Sequence, residues 1–325
     1  MQQIEIYQQL FQQYLSSHPF KSEPASLYEP INYIMELGGK RLRPVLALLG
    51  YTMFEERPEK ALPVAYAVEL FHNFTLVHDD IMDQAPLRRG KPTVHELYGA
   101  NTGILSGDVM LIHVYDYLLQ ACDPAHTHAL ISAFNRMAVE VCQGQQYDME
   151  FESRQEVAIE EYIRMIELKT AALLGGSLQL GAIVAGAPPV DIQRLAFFGR
   201  QIGIAFQLHD DLLDVFGDPG KFGKKVGGDI VQNKKTFLVL KALELADEAT
   251  RHRLRSLLAD SKLPETEKIS AVTAIFEQLD IARHTEIAKS AFRQQAYESL
   301  DAVQAPDAKK QALIQLAEQL MDREV

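Results

Sequence analysis

The sequence has 325 residues, with 32 Lys and Arg against 44 Asp and Glu, giving a net charge of −12 with histidines neutral. That surplus of acid argues against a general nucleic-acid binder, which gathers Lys and Arg on its binding face. A composition of 47% hydrophobic and 23% charged residues is that of a globular chain, and its length allows one large domain or two of moderate size. Two cysteines, Cys122 and Cys142, supply neither a disulfide framework nor a cysteine-rich metal site; they read as packed small hydrophobes in a reduced, cytoplasmic protein.

The N-terminal stretch MQQIEIYQQLFQQYL lacks the basic start and unbroken apolar core of a signal peptide, so it reads as part of the fold. Helix-spaced apolar residues then mark 44–54, 61–83, 104–119, 128–151, 159–187, 192–216 and 236–245. Within 61–83, Leu62, Ala65, His72, Leu76, Asp79 and Asp83 step along one ridge. Turns are expected at Pro58, Gly90-Lys91-Pro92, Asp123-Pro124 and Pro188-Pro189, and along 217–228. Alternating β-branched runs are scarce. The charge-free stretch 170–190 is diluted by Gly175, Gly176, Gly181 and Gly186, which suit close helix packing, so no stable membrane insertion is expected. From about Asp247 the chain breaks into shorter, more charged amphipathic pieces that read as peripheral helices. With no low-complexity linker, residues 1–325 are expected to form a single all-α domain.

One heptapeptide returns. Val77-His78-Asp79-Asp80-Ile81-Met82-Asp83 is echoed by Leu208-His209-Asp210-Asp211-Leu212-Leu213-Asp214, without repetition of the flanks. In each, the outer aspartates lie one helical turn apart on a shared face, with the middle one about 100° round. Like charges at that spacing destabilise a helix unless cations compensate them. Carboxylate clusters fit hard divalent ions, and Mg²⁺ typically takes one or two carboxylates plus substrate phosphate oxygens. Three basic groups can serve the phosphates: GGKRLRP over 38–44, LRRGKP over 87–92, and Gly223-Lys224-Lys225 through Lys234-Lys235. The Walker-type glycine loop is absent. His78 and His209 read as supports for the neighbouring aspartates, and Gln143-Gly144-Gln145 with Asp148 as either a pocket or partner face or an interior polar network.

GGKRLRP, HDDIMD followed by LRRGKPT, then KT, QLHDDLLDVFGD and GKKVGGDIVQNKKT resemble, in order, the motifs of trans-isoprenyl diphosphate synthases of the polyprenyl synthetase family. They span 38–236, about three fifths of the chain. The resemblance implies a homodimer of long helices around a deep central cavity, with the two aspartate motifs facing each other at its mouth. It further implies that Asp79 and Asp83, with Asp80 in support, ligate two Mg²⁺ ions on an allylic diphosphate, and that Asp210, assisted by Asp214, holds a third. Arg88, Lys169, Lys234 and one of Lys224 and Lys225 would contact that diphosphate. Lys40, Arg43, His72 and Arg89 would bind isopentenyl diphosphate, His72 standing where relatives carry histidine or glutamine. Lys169, Thr170 and Gln207 would line the reacting carbons.

The implied reaction is ionisation of the allylic C–O bond, attack by the double bond of isopentenyl diphosphate and loss of a proton to the released diphosphate. The allylic partner would be dimethylallyl, geranyl or farnesyl diphosphate. Phe74 and Thr75 precede Asp79 by five and four residues, where bulk in relatives limits product length. This pair implies geranylgeranyl diphosphate, with farnesyl diphosphate as the alternative. In ideal geometry Phe74 points about 160° away from Asp79 and Asp83, so the helix is kinked there or Phe74 acts through its neighbours. A His-Asp phosphohydrolase lacks the further spaced histidines it needs. A terpene cyclase or head-to-head condensing enzyme is the helical, aspartate-rich alternative. GGKRLRP and LRRGKP, which handle a second diphosphate substrate, argue against a cyclase, and the intact aspartates speak against an inactive partner subunit.

Overall fold

A computed structural model describes residues 2–121, 123–217 and 226–321. Lys224, Lys225 and Cys122 lie outside the described residues. Among the described residues the fold is all-α apart from one minimal hairpin. In chain order come α1 (Gln2–Ser17), α2 (Ala25–Glu36), α3 (Leu42–Thr52), a 3₁₀ turn at Pro58–Ala61 and α4 (Leu62–Met82). The hairpin of β1 (Leu87–Arg88) and β2 (Lys91–Pro92) follows, then α5 (Val94–Tyr98), α6 (Ala100–Ala121) and α7 (Pro124–Ser153). Next are α8 (Ile159–Ile166), a π turn at Glu167–Ala171, α9 (Ala172–Val184) and α10 (Pro189–Phe216). The rest is α11 (Gly228–Val231), α12 (Phe237–Leu245), α13 (Glu248–Ala259), α14 (Glu265–Gln278), α15 (Ile281–Asp301) and α16 (Asp307–Met321).

Prolines start several helices as their fixed φ predicts. Pro124 and Pro189 open α7 and α10, and Pro63 lies in the first turn of α4. Two local features depart from the expected pattern. The stretch 159–187 is helical but interrupted by the π turn, where Ala172 N–H bonds Glu167 O instead of the carbonyl four residues back. The Gly90 turn is a two-residue hairpin loop: Arg89 (φ 53°) and Gly90 (φ 75°) both take the left-handed backbone that matches strand twist.

The chain forms two compact units. The first comprises the residues up to Arg136 with Gly176–Ala196 and Val303–Leu313. Within it α4 is buried nearly all round, from Val64 through Phe71, and packs chiefly on α6 and α3. Ile4, Tyr7, Phe11 and Leu15 of α1 turn one apolar stripe inward. The second unit comprises Met137–Gly175, Phe197–Ala302 and the residues from Ile314 on. One of its cores gathers Phe151, Tyr162, Met165, Ile166, Ile204, Leu208 and Phe237. A second joins Val215, Ile230, Leu238 and Val239 to Leu254, Val272, Ile275, Phe276 and Ile281. The helices after Asp247, expected as peripheral, thus supply half of a core. Cys142, expected to be packed, is exposed on α7. Among the described residues, no helix is long and apolar enough to cross a membrane.

Candidate active site

In the first unit the GGKRLRP segment folds into a cluster of cations. Gly39 takes a φ of +130°, and a Cβ there would meet the Arg89 guanidinium at 2.8 Å, so glycine lets that head lie against the backbone. Arg89 donates to the Gly38 carbonyl. Arg41, at φ 50° just before α3, is buried and donates to Glu69 Oε1 at 2.5 Å and to Met35 O at 2.5 Å. Burial first, and then the field of Arg89, push Arg43 down to about 10 against the attraction of Glu69, so it stays cationic at neutral pH. Its Nε is buried without a hydrogen-bond partner among the described residues. Burial and then the fields of Arg43, Arg89, Arg88 and Arg41 hold His72 well below its usual value. His72 is thus a neutral imidazole inside an arginine cluster, whose summed positive charge suits an anion. Lys40 is exposed, and its carbonyl accepts from Gln8 Nε2 at 2.8 Å.

The first aspartate motif ends α4. Asp80 is 1% exposed, and Arg88 of the hairpin donates to it three times, from Nε at 2.8 and 2.9 Å and from a terminal nitrogen at 2.7 Å. Its carboxylate is therefore committed to orienting Arg88. Asp79 is half-buried and Asp83 exposed. His78 Nε2 lies 3.2 Å from Ile104 O, and its ring meets Phe74 edge-on at 4.7 Å. Phe74 is buried and also packs on Phe71, while the Thr75 hydroxyl donates to His72 O at 2.8 Å. The helix runs unbroken through these positions, so Phe74 reaches the motif through His78.

The second unit holds the other motif near the end of α10. Asp211 is buried and accepts from the Tyr162 hydroxyl and from Gln207 Nε2 at 3.2 Å. Burial pushes its carboxyl up to about 7, with Asp229 adding to the rise and Tyr162, Gln207 and the Phe237 N–H opposing it. The Thr170 hydroxyl lies 3.5 Å from Gln207 Oε1, so Thr170, Gln207, Asp211 and Tyr162 form one chain of polar contacts. Lys169 and Thr170 both sit on the π turn, where Lys169 pairs with Asp148 of α7. A Cβ at Gly144 would strike the Lys169 backbone, so glycine admits the wide turn against α7. Asp210 and Asp214 are half-buried. Asp214 Oδ2 accepts from Asp229 N–H at 3.0 Å, and Asp229 pairs with Lys234 at 3.0 Å. His209 is buried, its Nδ1 at 3.3 Å from Lys289 Nζ.

Sequence reasoning passed over Arg41, Tyr162 and Asp229. Arg41 lay in plain view inside GGKRLRP, but Tyr162 has no local signal: it lies 49 positions from its partner Asp211. Among the described residues, no three His, Cys, Asp or Glu side chains converge as an all-protein metal cage. Magnesium bound through one or two carboxylates and substrate oxygens needs none. Asp79 with Asp83 and Asp210 with Asp214 have the hard oxygen donors and one-turn spacing that such ions accept, while Asp80 orients Arg88 and Asp211 orients Gln207.

Residues 24–278 match the model of the polyprenyl synthetase family. The chain is 39% identical over 303 residues to the short chain isoprenyl diphosphate synthase of Methanothermobacter thermautotrophicus, covering 93% of this chain and 91% of that protein. It is 38% identical over 289 residues to the (2E,6E)-farnesyl diphosphate synthase of Mycobacterium bovis, covering 88% and 80%. A crystal structure of a geranylgeranyl pyrophosphate synthase superposes with a TM-score of 0.93 at 43% identity, covering 99% of both chains. With the arginine cluster and both aspartate motifs in place, the chain belongs to the polyprenyl synthetase family of prenyltransferases.

Proposed function

We propose that this enzyme condenses an allylic diphosphate head to tail with isopentenyl diphosphate, and that its product is geranylgeranyl diphosphate in preference to farnesyl diphosphate. The observation that carries the reading is the arginine cluster around a neutral His72. Arg43, Arg89, Arg88 and Arg41 all bring their positive fields to bear on His72, and a diphosphate is the anion that guanidinium forks bind bidentately. Arg43, Arg89, His72 and Lys40 take isopentenyl diphosphate. Arg88, Lys169 and Lys234 take the allylic diphosphate, together with Lys224 or Lys225, which lie outside the described residues. Asp79, Asp83, Asp210 and Asp214 are the residues that would hold three Mg²⁺ ions, whose charge, when bound, stabilises the departing diphosphate.

The side chains on the π turn suit the cation that follows. The Thr170 hydroxyl and the Gln207 amide are neutral dipoles that stabilise positive charge without trapping it, and Asp211 with Tyr162 holds Gln207 in place. Lys169, held against Asp148 of α7, is the cation of this turn that would contact the allylic diphosphate. No strong base is needed, because the released diphosphate takes the proton. We assign the whole chain to one isoprenoid synthase domain acting as a cytoplasmic homodimer.

Purified protein incubated with Mg²⁺, isopentenyl diphosphate and each of dimethylallyl, geranyl and farnesyl diphosphate tests this. Geranylgeranyl diphosphate is expected from all three primers, and failure to extend farnesyl diphosphate overturns the product assignment. Phe74→Ala should lengthen the product, read by chromatography after dephosphorylation. An unchanged product places the floor of the chain-length pocket elsewhere than Phe74 and Thr75.

A further inference from the structure

Lys268 belongs to α14, in the part of the chain that composition marks as peripheral, yet it is only 4% exposed. Burying an ammonium is costly unless its donors are met. Its Nζ donates to Asn233 Oδ1 at 2.6 Å and to Leu258 O at 2.8 Å. Asn233 has a left-handed backbone, φ 56°, and immediately precedes Lys234. From Lys234 the contacts continue inward: its N–H donates to Asp229 O at 3.0 Å, its Nζ pairs with Asp229 Oδ1 at 3.0 Å, and Asp229 N–H donates to Asp214 Oδ2 at 3.0 Å. On the other side of α11 a Cβ at Gly227 would meet Ile269 Cδ1 at 2.7 Å. Helix α14 therefore grips the segment before and after α11 through adjacent residues, Lys268 and Ile269.

We propose that Lys268 is a positioning residue for the allylic diphosphate site. By holding the Asn233 side chain it fixes the turn from which Lys234 leaves the backbone, and through Asp229 it fixes the carboxylate of Asp214. This rests on the reading of Lys234 and Asp214 as diphosphate- and metal-binding groups. A residue that merely stabilised the second unit would lower its melting point and leave the two substrates' constants alone. A positioning residue separates them.

The cleanest variant is Asn233→Gly, because glycine keeps the left-handed backbone while removing the acceptor for Lys268. Asn233→Gly and Lys268→Met should each raise KM for the allylic diphosphate about five- to tenfold while KM for isopentenyl diphosphate stays within about twofold. Their combination should be no worse for the allylic KM than Lys268→Met alone, since both remove the Lys268–Asn233 contact. Lys234→Ala, measured in parallel, should raise the allylic KM as well. If it does, and folded Asn233→Gly has unchanged constants for both substrates, the positioning role is wrong and the site reading survives. An unchanged allylic KM in Lys234→Ala overturns the site reading and this inference with it. Should Lys268→Met fail to fold, Asn233→Gly decides alone.

Discussion

In the first unit a guanidinium holds the middle aspartate of the motif: Arg88 donates three times to Asp80. In the second unit the corresponding Asp211 is held by a hydroxyl and an amide, from Tyr162 and Gln207, and its carboxyl is pushed up to about 7. The same heptapeptide thus builds a carboxylate held by a cation in one place and, in the other, a carboxyl that neutral donors hold and that keeps its proton up to about 7. The difference sorts with what each anchors. Asp80 orients a cation assigned to a diphosphate, and Asp211 orients the neutral amide assigned to a carbocation. The neutral donors on Asp211 hold Gln207 without placing a charge directly on the amide assigned to the carbocation.

The largest expected effect treats the motifs as equals. Asp79→Ala and Asp210→Ala should each lower kcat by about a thousandfold or more with helical content unchanged by circular dichroism. Near-normal turnover in either would remove that motif from the metal site. The arginines should separate by substrate. Arg43→Ala is expected to raise KM for isopentenyl diphosphate roughly ten- to a hundredfold, while Arg88→Ala acts on the allylic primer. Identical effects of both variants on both substrates would contradict the assignment.

The smallest effect is the sharpest test of the comparison. Asp80→Asn strips Arg88 of its charge partner and should cost about 2 kcal/mol in denaturant unfolding, against about 1 kcal/mol or less for Asp211→Asn, whose partners are neutral. The pH dependence should differ too. The folded chain keeps the Asp211 proton up to about 7, whereas an ordinary aspartate releases it near 3.8. Its contribution is therefore full below 3.8 and lost as pH rises through about 7. Without divalent cations, Asp211→Asn should flatten that slope and Asp80→Asn should leave it in place.

The helices were legible because their apolar period and their prolines are local signals: 128–151 and 192–216 fall inside α7 and α10. The π turn was not, since one extra residue in one turn leaves no mark in the composition or apolar spacing of the helices on either side. Strands of two residues are too short to alternate, so the hairpin showed only as a turn. In the site the aspartates and arginines stood out by their charge in apolar surroundings. Their holders did not. Lys268 and Asn233 lie 35 positions apart, and Tyr162 and Asp211 lie 49 apart, distances over which neither helix nor strand periodicity carries information.

The π turn and Gly144 have a consequence for how this sequence can change. A turn with one extra residue can be removed by deleting a single codon, which restores α-helical pitch but swings Lys169 and Thr170 about 100° relative to one flank. The wide backbone is also what forbids a side chain at Gly144, because the Lys169 amide occupies that space. Glycine and bulge therefore behave as one heritable character: Gly144→Ala should be harmful while the bulge persists, and the deletion in 167–171 is the natural place to seek its second-site suppressor.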